Sequence, residues 1–327
     1  MVASLYVWQP RMHPIRSQWV GQRHNRSMGP LRKRYRSLRI AVTFASLALA
    51  GCQQAYFKAL NAASSDTLPR TEVYDAGHNL ALDVYPARDS QGLAPIVVFL
   101  HGGSWQRGRR EYYRFVGDAL SRRGLVVVVP DYRKAPRNRF PAFVEDAAAA
   151  TAWAHSHARE LGGDPGRLYV MGHSAGAHMA ALLGTDSRYL EHWGLHPRQL
   201  AGVIGLAGPY EFEPTANRRI ERRVFGQLED WPQTQPVHFV DGDEPPFLLL
   251  HGKSDRRVGA ANSKDLARRL RAAGDPVTLK ILPGVGHIGL VNGFYSPRFS
   301  PALAETVNWM MHEPPASVAT RRLASPR

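Results

Sequence analysis

A serine flanked by glycines, Gly172-x-Ser174-x-Gly176, follows the apolar run 168–171 and precedes a helical stretch. A sharp turn from strand to helix leaves room only for glycine on either side, and it holds a serine oxygen exposed at strained backbone angles. The serine then lies at a helix N-terminus, where backbone N–H groups stabilise negative charge. This pattern predicts a nucleophilic serine, and its structural alternative is a serine that only caps the helix.

A serine nucleophile needs a base, and the base needs an acid that orients it. Asp255 follows one buried apolar run, and His287 follows the last such run and a glycine-rich turn. The alternative is that both are solvated loop residues, but their order and placement after strands suit the serine. We therefore expect His287 to be the general base and Asp255 its orienting acid, in preference to His173 and His178 as bases.

The segment 101–105, His-Gly-Gly-Ser-Trp, follows the first buried apolar run. Its glycines let the backbone approach a substrate carbonyl so that N–H groups face the developing oxyanion. We assign this role to the amides of Gly103 and Ser104, joined by the amide of Ala175 directly after the nucleophile. The alternative is a plain Gly-Gly turn.

Strand and helix signals alternate along the chain that carries these residues. Two runs of alternating polarity, Thr71–Tyr74 and Leu80–Tyr85, predict a solvated hairpin. Continuous apolar runs, typical of strands buried on both faces, cover 95–100, 125–129, 168–171, 203–206, 247–250 and 277–282. Helical stretches cover 112–123, 142–161, 175–183, 263–273 and 302–311.

This alternation predicts one α/β domain over residues 71–312, with a mostly parallel sheet of about eight strands and helices on both faces. Residues 209–240 have no clear period, and we expect them to form a small cap or insert over the site. We expect a disordered tail over 313–327.

The N-terminal region has the anatomy of a signal peptide. Nine basic residues and no acidic one lie within 1–51, and an eleven-residue apolar stretch ends just before Gly51-Cys52. The last four residues, Leu49-Ala50-Gly51-Cys52, resemble a bacterial lipobox, which implies lipidation of Cys52 and a protein anchored in the bacterial cell envelope. We expect residues 52–70 to be a polar tether and Met28 to be the true start. An uncleaved basic anchor is the alternative.

Composition limits the other function classes. The single cysteine excludes internal disulfides and a metal site built from cysteines. Beyond residue 51 the chain has 33 basic against 27 acidic residues, so the net charge of +15 is no sign of a nucleic-acid partner. Arg107, Arg109 and Arg110 flank the 101–105 segment, and we expect a solvated charged turn rather than a site for an anionic substrate.

The motifs together resemble the α/β-hydrolase esterases. They are His101-Gly-Gly-Ser-Trp105, Asp131-Tyr-Arg133, Gly172-His-Ser-Ala-Gly176, His251-Gly-x-x-Asp255 and Gly286-His287. Within that fold, they are most similar to the bacterial carboxylesterases grouped with hormone-sensitive lipase, feruloyl/acetylxylan esterases and arylformamidases.

The resemblance spans residues 71–312 and implies an α/β-hydrolase fold with a Ser174, Asp255 and His287 triad. It further implies a small-molecule ester substrate, a pocket lined by Trp105, and a structural role for the 131–133 segment. The chemistry needs neither a metal nor an organic cofactor. Two alternatives stay open: an amide or formamide hydrolase, and a catalytically inactive binding module of the envelope.

Overall fold

The computed structural model describes residues 55–62, 68–212, 218–226 and 228–312, and its centre is an eight-stranded sheet. The strands are β1 (Arg70–Asp75), β2 (Leu80–Tyr85), β3 (Ala94–Leu100), β4 (Val126–Pro130), β5 (Gly163–His173), β6 (Gly202–Leu206), β7 (Phe247–Gly252) and β8 (Val277–Leu282). Their spatial order is β1-β2-β4-β3-β5-β6-β7-β8. The β1–β2 and β2–β4 pairs are antiparallel, and the pairs from β4 to β8 are parallel.

Strand β3 shows how the sheet is covered. All of its side chains are buried, and Ile96 and Val98 belong to one hydrophobic core whereas Val97 and Phe99 belong to another. Because alternate side chains of a strand point to opposite faces, the two cores lie on the two faces of the sheet. Burial on both faces explains why the central strands read as continuous apolar runs.

Helices lie on both faces of the sheet. They are residues 55–62 (α1), α2 (Arg114–Ser121), α3 (Ala142–Ser156), α4 (Ala175–Thr185), α5 (Ser187–Glu191), α6 (Arg218–Phe225), α7 (Ala261–Ala273), α8 (His287–Asn292) and α9 (Ala302–His312). Side chains of α3, α4 and α7 enter one core, and those of α2 and α9 enter the other. The predicted fold class, a mostly parallel sheet with helices on both faces, is confirmed.

The hairpin of β1 and β2 differs from the solvated hairpin that the sequence suggests. Strand β1 is largely exposed, but five of the six residues of β2 are buried. The reason is position, because β2 lies between β1 and β4 within the sheet. Leu82 and Val84 therefore join the core.

Residues 55–62 also differ from the expected polar tether over 52–70. They form a helix, and its Phe57 and Leu60 side chains are only 5% and 7% exposed. The spacing of these two residues, i and i+3, places them on one helical face. The described helix of this segment is thus docked on the rest of the domain.

The insert over residues 209–240 contains α6 and two short 3-10 helices, Leu228–Thr234 and Pro236–His238. Phe225, Trp231 and Val237 are buried in the same core as α3 and α4. The insert therefore packs on the face of the sheet that also holds α3 and α4. Its lack of period reflects three short helical pieces rather than one long element.

Several predictions of sequence organisation lie outside the described residues. These are the signal peptide over 1–51, the start at Met28, the lipid anchor at Cys52 and the tail over 313–327. Within the described residues, no helix is both long enough and apolar enough to span a membrane.

Two buried carboxyl groups meet near the amino ends of β7 and β8. Glu244 is 2% exposed and Asp275 is 4% exposed. Burial and the neighbouring Asp275 carboxylate, whose charge repels that of an ionised Glu244, raise the pKa of Glu244 from 4.5 to about 8. Glu244 therefore keeps its proton at neutral pH.

This pair predicts a pH-dependent stability. Above pH 4.5 the unfolded chain has released the Glu244 proton, whereas the folded chain keeps it up to about pH 8. The folded chain therefore binds more protons over this interval, and its free energy of unfolding falls as pH rises from 4.5 to about 8. We expect the melting temperature to fall over that interval, and Asp275→Asn to reduce the slope because the neutral amide lets Glu244 ionise. Calorimetry between pH 5 and 8 checks this, and equal slopes for both proteins would contradict it.

Candidate active site

The chain turns sharply at Ser174, between the last residue of β5 and the first residue of α4. Ser174 has φ +57° and ψ −119°, a strained conformation for a residue with a side chain. A Cβ on Gly172 would lie 2.2 Å from the carbonyl carbon of Gly176, and one on Gly176 would lie 1.9 Å from the Leu100 oxygen. The two flanking glycines are therefore required by close backbone packing.

The structure brings together the three residues that the sequence predicts as nucleophile, base and acid. His287 Nε2 lies 3.0 Å from Ser174 Oγ, and His287 Nδ1 lies 2.7 Å from Asp255 Oδ2. Ser174 follows β5, Asp255 follows β7 and His287 follows β8. Because these strands are parallel, their carboxyl ends meet at one edge of the sheet, and this edge gathers the three side chains.

Asp255 is held in its charged form. Its side chain is buried, which opposes ionisation, but hydrogen bonds involving His251, His287 and the Val258 amide together keep its pKa well below the usual range. The other oxygen, Oδ1, accepts hydrogen bonds from the amides of Arg257 (2.8 Å) and Val258 (3.0 Å). The carboxylate is thus fixed in orientation before any substrate binds.

His251 contributes a contact that the sequence analysis did not assign. Its Nε2 lies 3.5 Å from Asp255 Oδ2 and 2.9 Å from the Val258 carbonyl oxygen, and its Nδ1 lies 2.7 Å from Ser263 Oγ. These contacts support the turn that carries Asp255. The signal for them was the i, i+4 spacing in His251-Gly-x-x-Asp255.

The two histidines near the nucleophile have other partners. His173 Nε2 donates to the His287 carbonyl oxygen (3.1 Å), and burial lowers its pKa to about 3. His178 Nε2 donates to the Thr234 carbonyl oxygen (2.6 Å), and its Nδ1 accepts from the Trp105 indole (3.3 Å). Burial lowers the pKa of His178 to about 4, so both rings are neutral. Within the described residues, no group of three or more metal-ligating side chains is arranged to hold an ion.

The segment 101–105, called the oxyanion loop below after its predicted role, lies against Ser174. A Cβ on Gly102 would lie 3.0 Å from the His173 carbonyl oxygen and 3.4 Å from Ser174 Cβ. The next three residues, Gly103, Ser104 and Trp105, all have positive φ angles (137°, 53° and 56°). This tight coil places the backbone of the loop next to the turn at Ser174.

Of the three amides assigned to the oxyanion, two lie in this loop and one begins a helix. At Gly103 a Cβ would lie 2.1 Å from the Arg107 carbonyl oxygen, so glycine is required there. Ala175 is the first residue of α4, where amides have no partner within the helix. The amides of Gly103, Ser104 and Ala175 are thus on the two segments that border Ser174.

Trp105 packs into a buried aromatic cluster. Its ring centroid lies 4.8 Å from that of Phe225, 5.1 Å from His178 and 6.0 Å from Phe212, and the residue is 7% exposed. Phe225 belongs to the insert, and His178 belongs to α4, which begins directly after Ser174. Trp105 therefore links the oxyanion loop to both, and a direct role in lining the substrate pocket stays a prediction.

A cavity of about 710 Å³ is lined in part by Phe225. Phe140 and Trp193 form part of its wall together with charged side chains such as Arg133 and Glu145. Ser174 and the other two members of the predicted triad are not among its lining residues. Phe225 is therefore shared between the wall of this cavity and the aromatic cluster around Trp105.

The arginines near the oxyanion loop are not all solvated, as the sequence suggested. Arg110 is paired with Asp83 (3.0 Å) and with Asp131, and its side chain is 19% exposed. Only Arg107 and Arg109 fit the expected exposed turn. Arg110 connects β2 to the segment after β4, which is a structural role.

The Asp131-Tyr-Arg133 segment supports the loops beneath the site. Tyr132 donates a hydrogen bond to the His101 carbonyl oxygen (2.9 Å), and Arg133 Nε donates to Asp146 (2.8 Å). Asp131 accepts from the Arg110 amide (3.2 Å). These contacts fix the start of the oxyanion loop against the end of β4.

Comparison with known proteins places this geometry among esterases. The profile of the BD-FAE family matches residues 82–270. The chain is similar to a probable isoprenylcysteine alpha-carbonyl methylesterase of Arabidopsis thaliana, at 30% identity over 68% of this chain and 51% of the relative. It is also similar to the esterase LipC of Mycobacterium tuberculosis, at 29% identity over 69% of this chain and 61% of the relative. The chain thus spans about half to three fifths of these relatives.

A solved structure with the same architecture is that of a truncated carbohydrate esterase from gut microbiota. It superposes with a TM-score of 0.66 at 20% identity, over 77% of this chain and 98% of that chain. At this level of identity the similarity concerns the fold.

Proposed function

Because the chain belongs to the BD-FAE family, we propose that it is a carboxylesterase-type serine hydrolase that cleaves small-molecule carboxylic esters. The observation that carries the proposal is the continuous hydrogen-bonded chain from Ser174 Oγ through His287 to Asp255, with distances of 3.0 Å and 2.7 Å. Its relatives bear the names of esterases, which supports ester rather than amide hydrolysis. Neither the amide hydrolase nor the inactive binding module has comparable support.

In the proposed reaction, Ser174 Oγ attacks the ester carbonyl carbon while His287 Nε2 accepts the serine proton. The tetrahedral intermediate collapses when the bond to the alcohol oxygen breaks, and His287 returns the proton to that alcohol. Water then attacks the acyl-enzyme with His287 again as base, which releases the carboxylic acid and restores Ser174. Asp255 holds the tautomer of His287 that can accept a proton and stabilises the imidazolium that forms.

Charge stabilisation completes the mechanism. In both steps the carbonyl oxygen becomes negative, and donors fixed in advance around that position lower the barrier most. We assign the donors to the amides of Gly103, Ser104 and Ala175. The support is the contact of the oxyanion loop with the turn at Ser174.

Hydrolysis of p-nitrophenyl acetate, butyrate and longer esters by the full chain tests this function. We expect turnover of at least the short esters and slower hydrolysis of the matching p-nitroanilides. If the folded protein were inert toward the ester series but cleaved the anilides, its function would be that of an amidase and not of an esterase.

We further propose that Cys52 carries a lipid and anchors the protein in the bacterial cell envelope, which rests on the sequence alone. Labelled palmitate is expected to enter the wild-type chain and not Cys52→Ser when both are produced in a bacterium. Equal labelling of the two chains would refute the anchor.

A further inference from the structure

Helix α1 makes an aromatic contact with the 3-10 turn that precedes α2. The ring of Phe57 stacks on Tyr112 with centroids 5.2 Å apart and planes 7° apart, and its centroid lies 5.1 Å from that of Tyr113. Leu60 is buried on the same side of the helix. The helix is therefore fixed on the short 3-10 turn Arg110–Tyr113, which leads into α2.

Asn61 fixes the same turn by hydrogen bonds. Its Nδ2 donates to the Glu111 carbonyl oxygen (2.7 Å), and its Oδ1 accepts from the Phe115 amide (3.1 Å). Phe115 is the second residue of α2, where an amide has no partner within the helix. A side chain from α1 thus supplies a helix cap that the local sequence does not.

From this turn the contact continues to the oxyanion loop. Tyr113 stacks on His101 with centroids 5.6 Å apart and planes 12° apart, and Tyr132 stacks on His101 with centroids 4.4 Å apart. His101 is fully buried and is the first residue of the oxyanion loop. Phe57, Tyr113 and His101 therefore form one continuous series of ring contacts from α1 to the loop, tilted at the first contact (44°) and stacked at the second.

The loop is a place where such support matters. Ser104 and Trp105 both carry side chains and have positive φ angles, which persist only when the surroundings hold them. The preceding residue, Gly102, lies against Ser174 with little room to move. A shift of a few tenths of an ångström at His101 would change where the loop amides point.

We propose that residues 55–62 are a positioning element of the active site, in which Phe57 and Asn61 hold the oxyanion loop through Tyr113 and His101. The catalytic consequence rests on the proposed esterase function, whereas the mechanical link stands on the contacts alone. Phe57 and Asn61 are positioning residues because they act through other side chains. The helix over residues 55–62, which follows the proposed lipid-bearing cysteine, is then a part of the folded domain that supports the site.

The test compares Phe57→Ala and Asn61→Ala with Lys58→Ala, which changes an exposed residue of the same helix, all in the full chain. Hydrogen exchange of the peptide that spans the oxyanion loop reads the mechanical link. The kcat and KM for p-nitrophenyl acetate, and the affinity for a trifluoromethyl ketone that mimics the tetrahedral intermediate, read the catalytic consequence. Phe57→Tyr serves as the conservative variant.

We expect faster exchange in the loop and a kcat about tenfold lower with KM nearly unchanged for Phe57→Ala, since loss of one oxyanion donor costs about 10²- to 10³-fold and displacement costs less. Affinity for the ketone should fall in parallel, Asn61→Ala should change the same readouts in the same direction, and Lys58→Ala and Phe57→Tyr should match wild type.

The proposal would be overturned if Phe57→Ala and Asn61→Ala both lowered the melting temperature but left hydrogen exchange in the loop and kcat unchanged. If Phe57→Ala does not fold, Asn61→Ala decides it by the same readouts. An inert wild type would refute the proposed function instead, and loop exchange would still decide the mechanical link.

Discussion

Replacing Ser174 with alanine is expected to lower ester turnover about 10⁴- to 10⁶-fold, because the variant has no oxygen that can attack the carbonyl and form an acyl-enzyme. The fold should persist, since the only described contact of the Ser174 side chain is that of Oγ with His287, and the backbone hydrogen bonds of the turn and its flanking glycines, Gly172 and Gly176, are unchanged. The measurement is kcat for p-nitrophenyl butyrate, with the melting temperature to show that the protein is folded.

The matched control is Ser90→Ala, which removes a hydroxyl from an exposed loop. It should retain wild-type kcat and KM. If the Ser174→Ala protein retained more than about one hundredth of wild-type turnover, far above the residual rate left after loss of a nucleophile, another residue would have to be the nucleophile.

Replacing Asp255 with asparagine is expected to lower kcat about 10³- to 10⁴-fold with KM within a few-fold of wild type. The Oδ1 atom of asparagine can still accept from the amides of Arg257 and Val258, so its NH₂ group takes the place of Oδ2 beside His287 Nδ1. His287 Nδ1 must then accept a hydrogen bond from this NH₂ group, so the ring proton moves to Nε2. With Nε2 protonated, no base remains for Ser174. The defect lies in the tautomer and not in substrate binding.

Asp265→Asn is the control for this change, because Asp265 is a partly exposed residue of α7 paired only with Arg268 among the described contacts. It should leave kcat unchanged. A loss of less than tenfold in Asp255→Asn would show that His287 is oriented without this carboxylate, and that Asp255 is a structural residue of its turn.

The site residues are predictable because each follows the carboxyl end of a parallel strand. Ser174, Asp255 and His287 follow β5, β7 and β8, and a parallel sheet brings such ends together whatever the lengths of the intervening helices. Gly172 carries the same information, because its close contacts are with the backbone of Gly176 and Ala177, a few residues further along the chain. Such local patterns can be recognised in a single sequence.

The contacts that the sequence does not reveal are those between distant segments. Phe57 meets Tyr112, and Arg110 meets Asp83, through packing that no local pattern encodes. A short polar-looking segment therefore reads as a tether, and a basic turn reads as solvated. The buried strand β2 is hidden for the same reason, since its burial depends on a neighbour more than forty residues ahead, Val126–Pro130.

The most direct test of the central claim is to trap the acyl-enzyme analogue. The full chain is treated with a fluorophosphonate, which phosphonylates an activated serine, and the modified peptide is located by mass spectrometry. We predict one adduct, on Ser174, whose formation parallels the loss of ester hydrolysis and is strongly slowed in Asp255→Asn. Complete inhibition with the adduct on another residue, or undiminished hydrolysis after Ser174 is modified, would contradict the account.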